Sequence, residues 1–117
     1  MRVIIAGSRN IDPLALPSLI TRAVMESGLT ITQVVSGTAR GVDQAGERWA
    51  MAHNIPIRRF PADWSTNGRS AGYIRNAEMG AYADAAVLIW DGSNKGTAHM
   101  RTCMEAQGKP VYVLKVG

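Results

Sequence analysis

The chain of 117 residues contains one cysteine, Cys103, and two histidines. A single thiol cannot close an internal disulfide, and three such side chains are too few for a zinc cluster, so no metal site is expected. The same scarcity suits a reducing, cytoplasmic compartment. Long apolar runs are missing as well. Val3 to Ala6, just after Met1-Arg2, is too short for the apolar region of a secretory signal, and no segment approaches the roughly 20 residues that span a bilayer. No membrane association is expected. Also absent are a GxGxxG turn after the first apolar run and a GxxxxGK[ST] loop, which removes support for an NAD-type dehydrogenase or a P-loop nucleotidase. No cofactor is expected. There is no internal repeat, low-complexity tract or arginine-rich arm.

What the chain does contain fits one compact domain spanning residues 1–117: 46% hydrophobic and 19% charged residues, enough for a single core. Thirteen Lys+Arg against nine Asp+Glu give a formal charge of +4, which suits an anionic partner. Apolar runs at Val3–Ala6, Gln33–Ser36, Ile57–Phe60, Ala85–Trp90 and Val111–Leu114 read as buried strands. Between them lie helical spacings. Asp12-Pro13 signals the first helix, although Pro17 places its regular start at that residue, and Gly28 ends it. Val42, Ala45, Trp49 and Ala52 share one helical face, and Asn54 with Pro56 closes that element. Pro61 to Gly72 shows no period and reads as a loop. A helix follows from Tyr73 to Ala81, and another from about Thr97 to Gln107. About five strands alternating with four helices define a small doubly wound α/β fold with a parallel sheet and helices on both faces.

Right-handed crossovers in such a sheet place every strand-to-helix loop on its carboxyl edge, where ligands bind. Gly7-Ser8-Arg9, Ser36 to Asp43, Arg69 to Arg75, and Asp91 to Thr97 should therefore converge. The segment Ser36-Gly37-Thr38-Ala39-Arg40-Gly41-Val42-Asp43 ends a strand and opens a helix, an arrangement that offers backbone N–H groups to an anion. Gly96-Thr97 repeats it. Either glycine loop alone is ordinary turn chemistry, but two on one edge, each with a cation, favour a ligand. Gly7 allows close backbone approach, Ser8 supplies a hydroxyl, and Arg9 a fork of donors. Asp43 reads first as a first-turn carboxylate favoured by the helix dipole, and more sharply as an acceptor of ribose hydroxyls or a base. Thr97 reads first as a helix cap. Asp91 can orient its loop, and Lys95 is an additional cation. Tyr73, Trp90 and Trp64 offer flat faces for a nucleobase, although each taken singly is ordinary packing. Met100, Cys103 and Met104 at helical spacing read as core.

The order Ile5-Ala6-Gly7-Ser8-Arg9, then Val35 to Asp43, then Ile74-Arg75-Asn76, then Gly96-Thr97 before a helix resembles the SLOG superfamily. That group joins the DNA-processing protein DprA (Smf) to the LOG phosphoribohydrolases, and the likeness is strongest to its short, stand-alone YspA-like members. The resemblance implies a Rossmann-like fold and a nucleotide or nucleic-acid site. It carries Gly7, Ser8 and Arg9 onto the first-strand motif, Gly37, Arg40, Gly41 and Asp43 onto the second, and Arg75-Asn76 onto the third. LOG enzymes end in Gly-Gly-x-Gly-Thr-x-x-Glu with a catalytic glutamate, and Met100 stands at that position here. A thioether cannot move a proton or stabilise an oxocarbenium-like centre.

The leading expectation is binding of a nucleotide or nucleotide-derived small ligand, as a sensor or sequestering module. Gly37 to Gly41 and Gly96-Thr97 would hold its phosphates, Arg9, Arg40 and Arg75 would supply charge, and Tyr73 or Trp90 would flank the base. A second expectation is hydrolysis of a nucleotide N-glycosidic bond, with Asp43 or Asp91 replacing the missing glutamate and Arg75 retained. A third is DprA-like binding of single-stranded DNA through Arg40, Arg69 and Arg75. Association into a homodimer or higher homo-oligomer through helix faces is also expected.

Overall fold

The computed structural model describes residues 1–116; Gly117, the last residue of the expected domain, lies outside them. Five strands form one parallel sheet: β1 (Arg2–Gly7), β2 (Gln33–Ser36), β3 (Ile57–Arg59), β4 (Ala85–Trp90) and β5 (Val111–Lys115). Their spatial order is β3-β2-β1-β4-β5. β1 pairs in parallel with β2 through Val3↔Val34 and with β4 through Ile5↔Val87. β1 and β4 are therefore central, which is why Val3, Ile4, Ile5 and all of Ala85–Ile89 are inaccessible. A strand covered on both faces has no polar side to show, so it appears in the sequence as an unbroken apolar run.

Successive side chains divide between two core layers. Val3, Ile5, Val87 and Ile89 face α1 (Leu16–Ser27) and α2 (Val42–Ala52), against Leu16, Ile20, Val42 and Ala45. Ile4, Ala6, Ala86 and Leu88 face the opposite layer with Met79, Met100 and Met104. Those methionines come from α4 (Ala71–Tyr82) and α5 (Lys95–Ala106). Helices on both faces of a parallel sheet in this order make the fold Rossmann-like α/β, as expected. No helix among the described residues is long and apolar enough to cross a membrane.

Most boundaries shift by one or two residues from the sequence expectation, α4 for example running from Ala71 to Tyr82, and two differences have a clear local cause. The stretch read as a loop between Pro61 and Gly72 contains the single turn α3 (Trp64–Asn67) and a 3-10 turn at Gly68–Ser70, bringing the α-helices to five. Asp63 makes the first turn: its Oδ1 accepts the Thr66 N–H at 3.1 Å and the Ser65 hydroxyl at 2.8 Å. A turn this short never completes an apolar repeat, so periodicity does not register it. The last helix starts at Lys95 rather than near Thr97, because Asn94 caps it. Asn94 Oδ1 accepts both the N–H and the hydroxyl of Thr97, each at 2.9 Å. Thr97 is thus the capped residue and not the cap.

Gly46 sits in mid-α2, where the helix lies on β1; a Cβ there would be 2.8 Å from Ile5 Cγ2 and 2.9 Å from Ile5 Cβ. Alanine ordinarily stabilises a helix interior by about 1 kcal/mol relative to glycine. Here overpacking against a central strand costs about 1–3 kcal/mol and outweighs that gain. Gly46→Ala is expected to lower stability in urea denaturation; equal or greater stability would show that α2 shifts freely on the sheet.

Candidate functional site

β1 turns toward α1 on one side while β4 leads to α5 on the other, so the carboxyl ends of these adjacent strands part at a topological switch point. A cavity of about 190 Å³ opens there. Gly7 and Arg9 reach it from β1, Ala39 and Asp43 from the loop after β2 and the start of α2, Arg75 and Asn76 from α4, and Asn94, Gly96 and Thr97 from the start of α5. Ala6, Met79 and Met100 make its apolar floor.

Asp43 is the least expected feature of this wall. Only 6% of it is exposed, and its Oδ2 accepts the Ala39 N–H at 3.2 Å. It does not serve as the cap of α2: Gly41 occupies that position, and no side chain caps the helix. The ion pairs within 4.0 Å among the described residues are Arg2–Asp84, Arg22–Glu26, Arg59–Glu47 and Arg101–Glu105, none of which includes Asp43, Arg75 or Arg9. Burial pushes the Asp43 carboxyl up to about 6, against the opposing pull of Arg75 and Arg9 and of the Ala39 and Gly7 amides. Arg75 is itself shifted down by burial. Its Nη1 donates to the Gly37 carbonyl and its Nε to Asn76 Oδ1 at 3.1 Å. Asn76 Nδ2 donates onward to the Gly96 carbonyl at 3.1 Å, tying α4 to the mouth of α5.

Two glycines make this packing feasible. A Cβ on Gly37 would lie 2.7 Å from both Arg75 Nη1 and Asp43 Oδ2, so any larger residue would separate the two charged groups from the loop. Gly41 has φ 86° and ψ −126°, and its Cβ would come within 3.1 Å of the Arg9 backbone. Only glycine adopts that conformation readily, and it lets the β1 and β2 loops touch.

The remaining residues singled out in the sequence lie outside the cavity wall, and most hold the loops in shape. Ser8 is fully buried, and its Oγ accepts the Asp91 N–H at 3.0 Å, joining the loops after β1 and β4. Asp91 Oδ1 accepts the N–H groups of Ser93 and Asn94, which hold its carboxyl below the usual range. The Ser36 hydroxyl donates to Glu47 at 2.6 Å and accepts the Thr38 N–H, while Thr38 takes a positive φ of 66°. Trp90 Nε1 donates to the Asn94 carbonyl at 3.0 Å, so the indole props the α5 loop. Arg40 and Arg69 are exposed. Tyr73 is 47% exposed and meets His99 edge-on, with ring centroids 4.6 Å apart. His99 Nδ1 lies 3.3 Å from Asn76 Nδ2, and burial lowers its pKa. Asn94 and the floor residues Ala6 and Met79 were not singled out as parts of a site, whereas Ala39 falls in the expected Gly37–Gly41 loop and Met100 at the position of the LOG glutamate. Asn94 carried a usable signal, an Asn directly before a helix; the apolar floor carried none.

The fold and its cleft define a Rossmann-like α/β protein with an arginine-flanked hollow at the switch point of its sheet. The family model described as YspA, cpYpsA-related SLOG family matches residues 1–66. The chain is also 38% identical to the Gene 61 protein of Mycobacterium phage D29, over 72% of this chain and 70% of the phage protein. It belongs to the YspA, cpYpsA-related SLOG family. No solved structure gives a significant match.

Burial of Asp43 makes stability depend on pH in a defined direction. Its folded pKa of about 6 exceeds the ordinary 3.8, so its contribution is complete below about pH 3.8 and is lost as pH rises through 6. At about 1.36 kcal/mol per pKa unit the loss is on the order of 3 kcal/mol. Asp43→Asn lacks this titration, so its stability relative to the native protein is expected to rise between pH 4 and pH 7. Urea denaturation of both proteins across that range checks it, and a constant difference would refute it.

Proposed function

We propose that this protein binds a nucleotide or nucleotide-derived small ligand in the cleft at the switch point. The observation that carries the reading is the pair Arg9 and Arg75, which face the cavity with no carboxylate partner within 4.0 Å, beside the opening turn of α5. The N–H groups of Lys95 and Gly96 in that first turn have no intrahelical acceptor, and the helix dipole adds to the local positive potential. Phosphate fits such a set of donors.

The size of the cavity sharpens the ligand. At about 190 Å³ it is smaller than the roughly 300 Å³ at which pockets for whole drug-sized molecules begin. It encloses a phosphate and part of a sugar and leaves the base at the rim. Tyr73, half-exposed on α4 two residues before Arg75, is the flat surface nearest in sequence to that rim and suits a base. Hydrolysis of LOG type, with Asp43 or Asp91 in place of the glutamate, is the weaker reading: Met100 on the floor offers no proton or negative charge, Asp91 is bonded within its own loop outside the wall, and Asp43 is buried and held by the Ala39 N–H. A single strand of DNA is also less well served. Arg40 and Arg69 are exposed outside the wall that Arg9 and Arg75 line, whereas a strand needs a continuous basic track.

The test is a thermal-shift and calorimetric panel of nucleoside mono-, di- and triphosphates, cyclic nucleotides and ribose 5-phosphate. A true ligand at 100 times its Kd is expected to add about 2.7 kcal/mol of stability. Arg9→Gln, at an exposed position with no structural bond, is expected to weaken binding about 10- to 100-fold, the value of a charged hydrogen bond at 1.5–3 kcal/mol. No shift with any member of the panel would overturn the proposal.

A further inference from the structure

Asp43 is a negative group built into the wall of a cleft that otherwise gathers positive ones. Its carboxyl is almost wholly buried, and one Oδ2 bond to the Ala39 N–H is the contact that orients it. The guanidinium nearest in the wall, Arg75, shares the face of Gly37 with the Asp43 carboxyl but bonds the Gly37 carbonyl and Asn76, and the two do not close to the 4.0 Å of an ion pair. An oxyanion seated between Arg9 and Arg75 therefore comes to rest against a carboxylate that no cation within 4.0 Å neutralises and that bulk water barely reaches. Two like charges so placed cannot both persist without a large loss of affinity, because burial removes the screening that surface charges enjoy.

We propose that anion capture in this cleft is coupled to a proton: the Asp43 carboxylate takes one up from solvent as the oxyanion enters and returns it as the oxyanion leaves. Protonated, the carboxyl stops repelling the ligand and gains an O–H with which to donate to it. The inference rests on the reading of the cleft as an anion site and adds its regulation. Asp43 is already poised for the change, since burial outweighs the pull of the arginines and amides around it and brings its titration to about 6.

The other groups that face it bear on the sign. From β1 come the Gly7 amide and the Arg9 guanidinium, both favouring the ionised form. From α4 comes Arg75, acting in the same sense. An anion held by these arginines offsets their charge and so raises the carboxyl further. From the start of α5 come Asn94, Gly96 and Thr97, none of which titrates, with Lys95 exposed beside them. His99 stands behind Asn76 and is the titratable neighbour to be separated from Asp43, because its own protonation at low pH would also favour an anion. Glu47, one turn along α2, is committed to Arg59 and Ser36.

Sulfate is the suitable probe, since it keeps both charges and exchanges no proton between pH 5 and 8, unlike a phosphate monoester. Calorimetric titrations at pH 5.5, 6.5 and 7.5, at constant ionic strength and in buffers of differing ionisation enthalpy, give affinity and proton count together. Sulfate affinity is expected to fall by up to tenfold per pH unit above about pH 6, with close to one proton taken up per sulfate at pH 7.5. Asp43→Asn is expected to flatten the profile and take up no proton, whereas His99→Gln keeps the slope. The proton count on the native protein stands even if Asp43→Asn fails to fold. Sulfate binding that is indifferent to pH, strengthens with pH, or keeps its slope in Asp43→Asn overturns the coupling and leaves the anion site intact. No sulfate binding at any pH overturns both.

Discussion

Everything at the cleft depends on how β1 and β4 end together. The Ser8 N–H donates to the Ile89 carbonyl at 3.1 Å, carrying the β-ladder one residue past β1, and the Ser8 hydroxyl then accepts the Asp91 N–H. Ser8 and Ile89 are fully buried, where a lost partner costs about 1–3 kcal/mol. The two bonds fix the point from which one chain departs toward α1 and the other toward α5. With that divergence set, Arg9 stands at one side of the gap and the start of α5 at the other. The loop from β2 has only to lie across Arg9 to complete the wall, which Gly41 permits.

The same architecture explains why the cleft is charged but not ion-paired. Three of its polar groups are oriented by backbone atoms: Arg75 by the Gly37 carbonyl, Asn76 by the Gly96 carbonyl, Asp43 by the Ala39 amide. Backbone anchors hold a side chain in place without neutralising it. The arginines therefore stay without a carboxylate partner within 4.0 Å, while the one acidic group of the wall is buried. Surface ion pairs such as Arg22–Glu26 and Arg101–Glu105 are exposed and add little by comparison.

The model of the YspA, cpYpsA-related SLOG family matches the first 66 residues, which hold β1, β2, α2 and the loops that supply Arg9 and Asp43. Arg75, Asn76 and the start of α5 lie beyond that match. The half of the cleft that α4 and α5 build is thus described by the structure and not by the family model. Met100 on the floor gives that half an apolar base.

Much of the fold was legible because its cause is local. Five short apolar runs read as buried strands, the helical spacings between them as amphipathic helices, and the alternation of the two favours a parallel sheet with loops gathered at one edge. The residues at that edge, among them Gly7, Arg9, Asp43, Arg75, Asn76, Gly96 and Thr97, followed from the same rule. What the linear order could not decide was direction and depth. Whether Asp43 points outward to cap its helix or inward beneath Gly37 depends on how closely the β2 loop approaches α4, and that distance is set by side chains far apart in the chain. The roles of Ser8, Ser36, Asp91 and Trp90 as braces rather than wall, and the apolar floor made by Met79 and Met100, were likewise decided only when the two core layers closed. A hydrogen-bonding residue in a loop reads alike from sequence whether its partner is a ligand or the next strand, and only packing distinguishes the two.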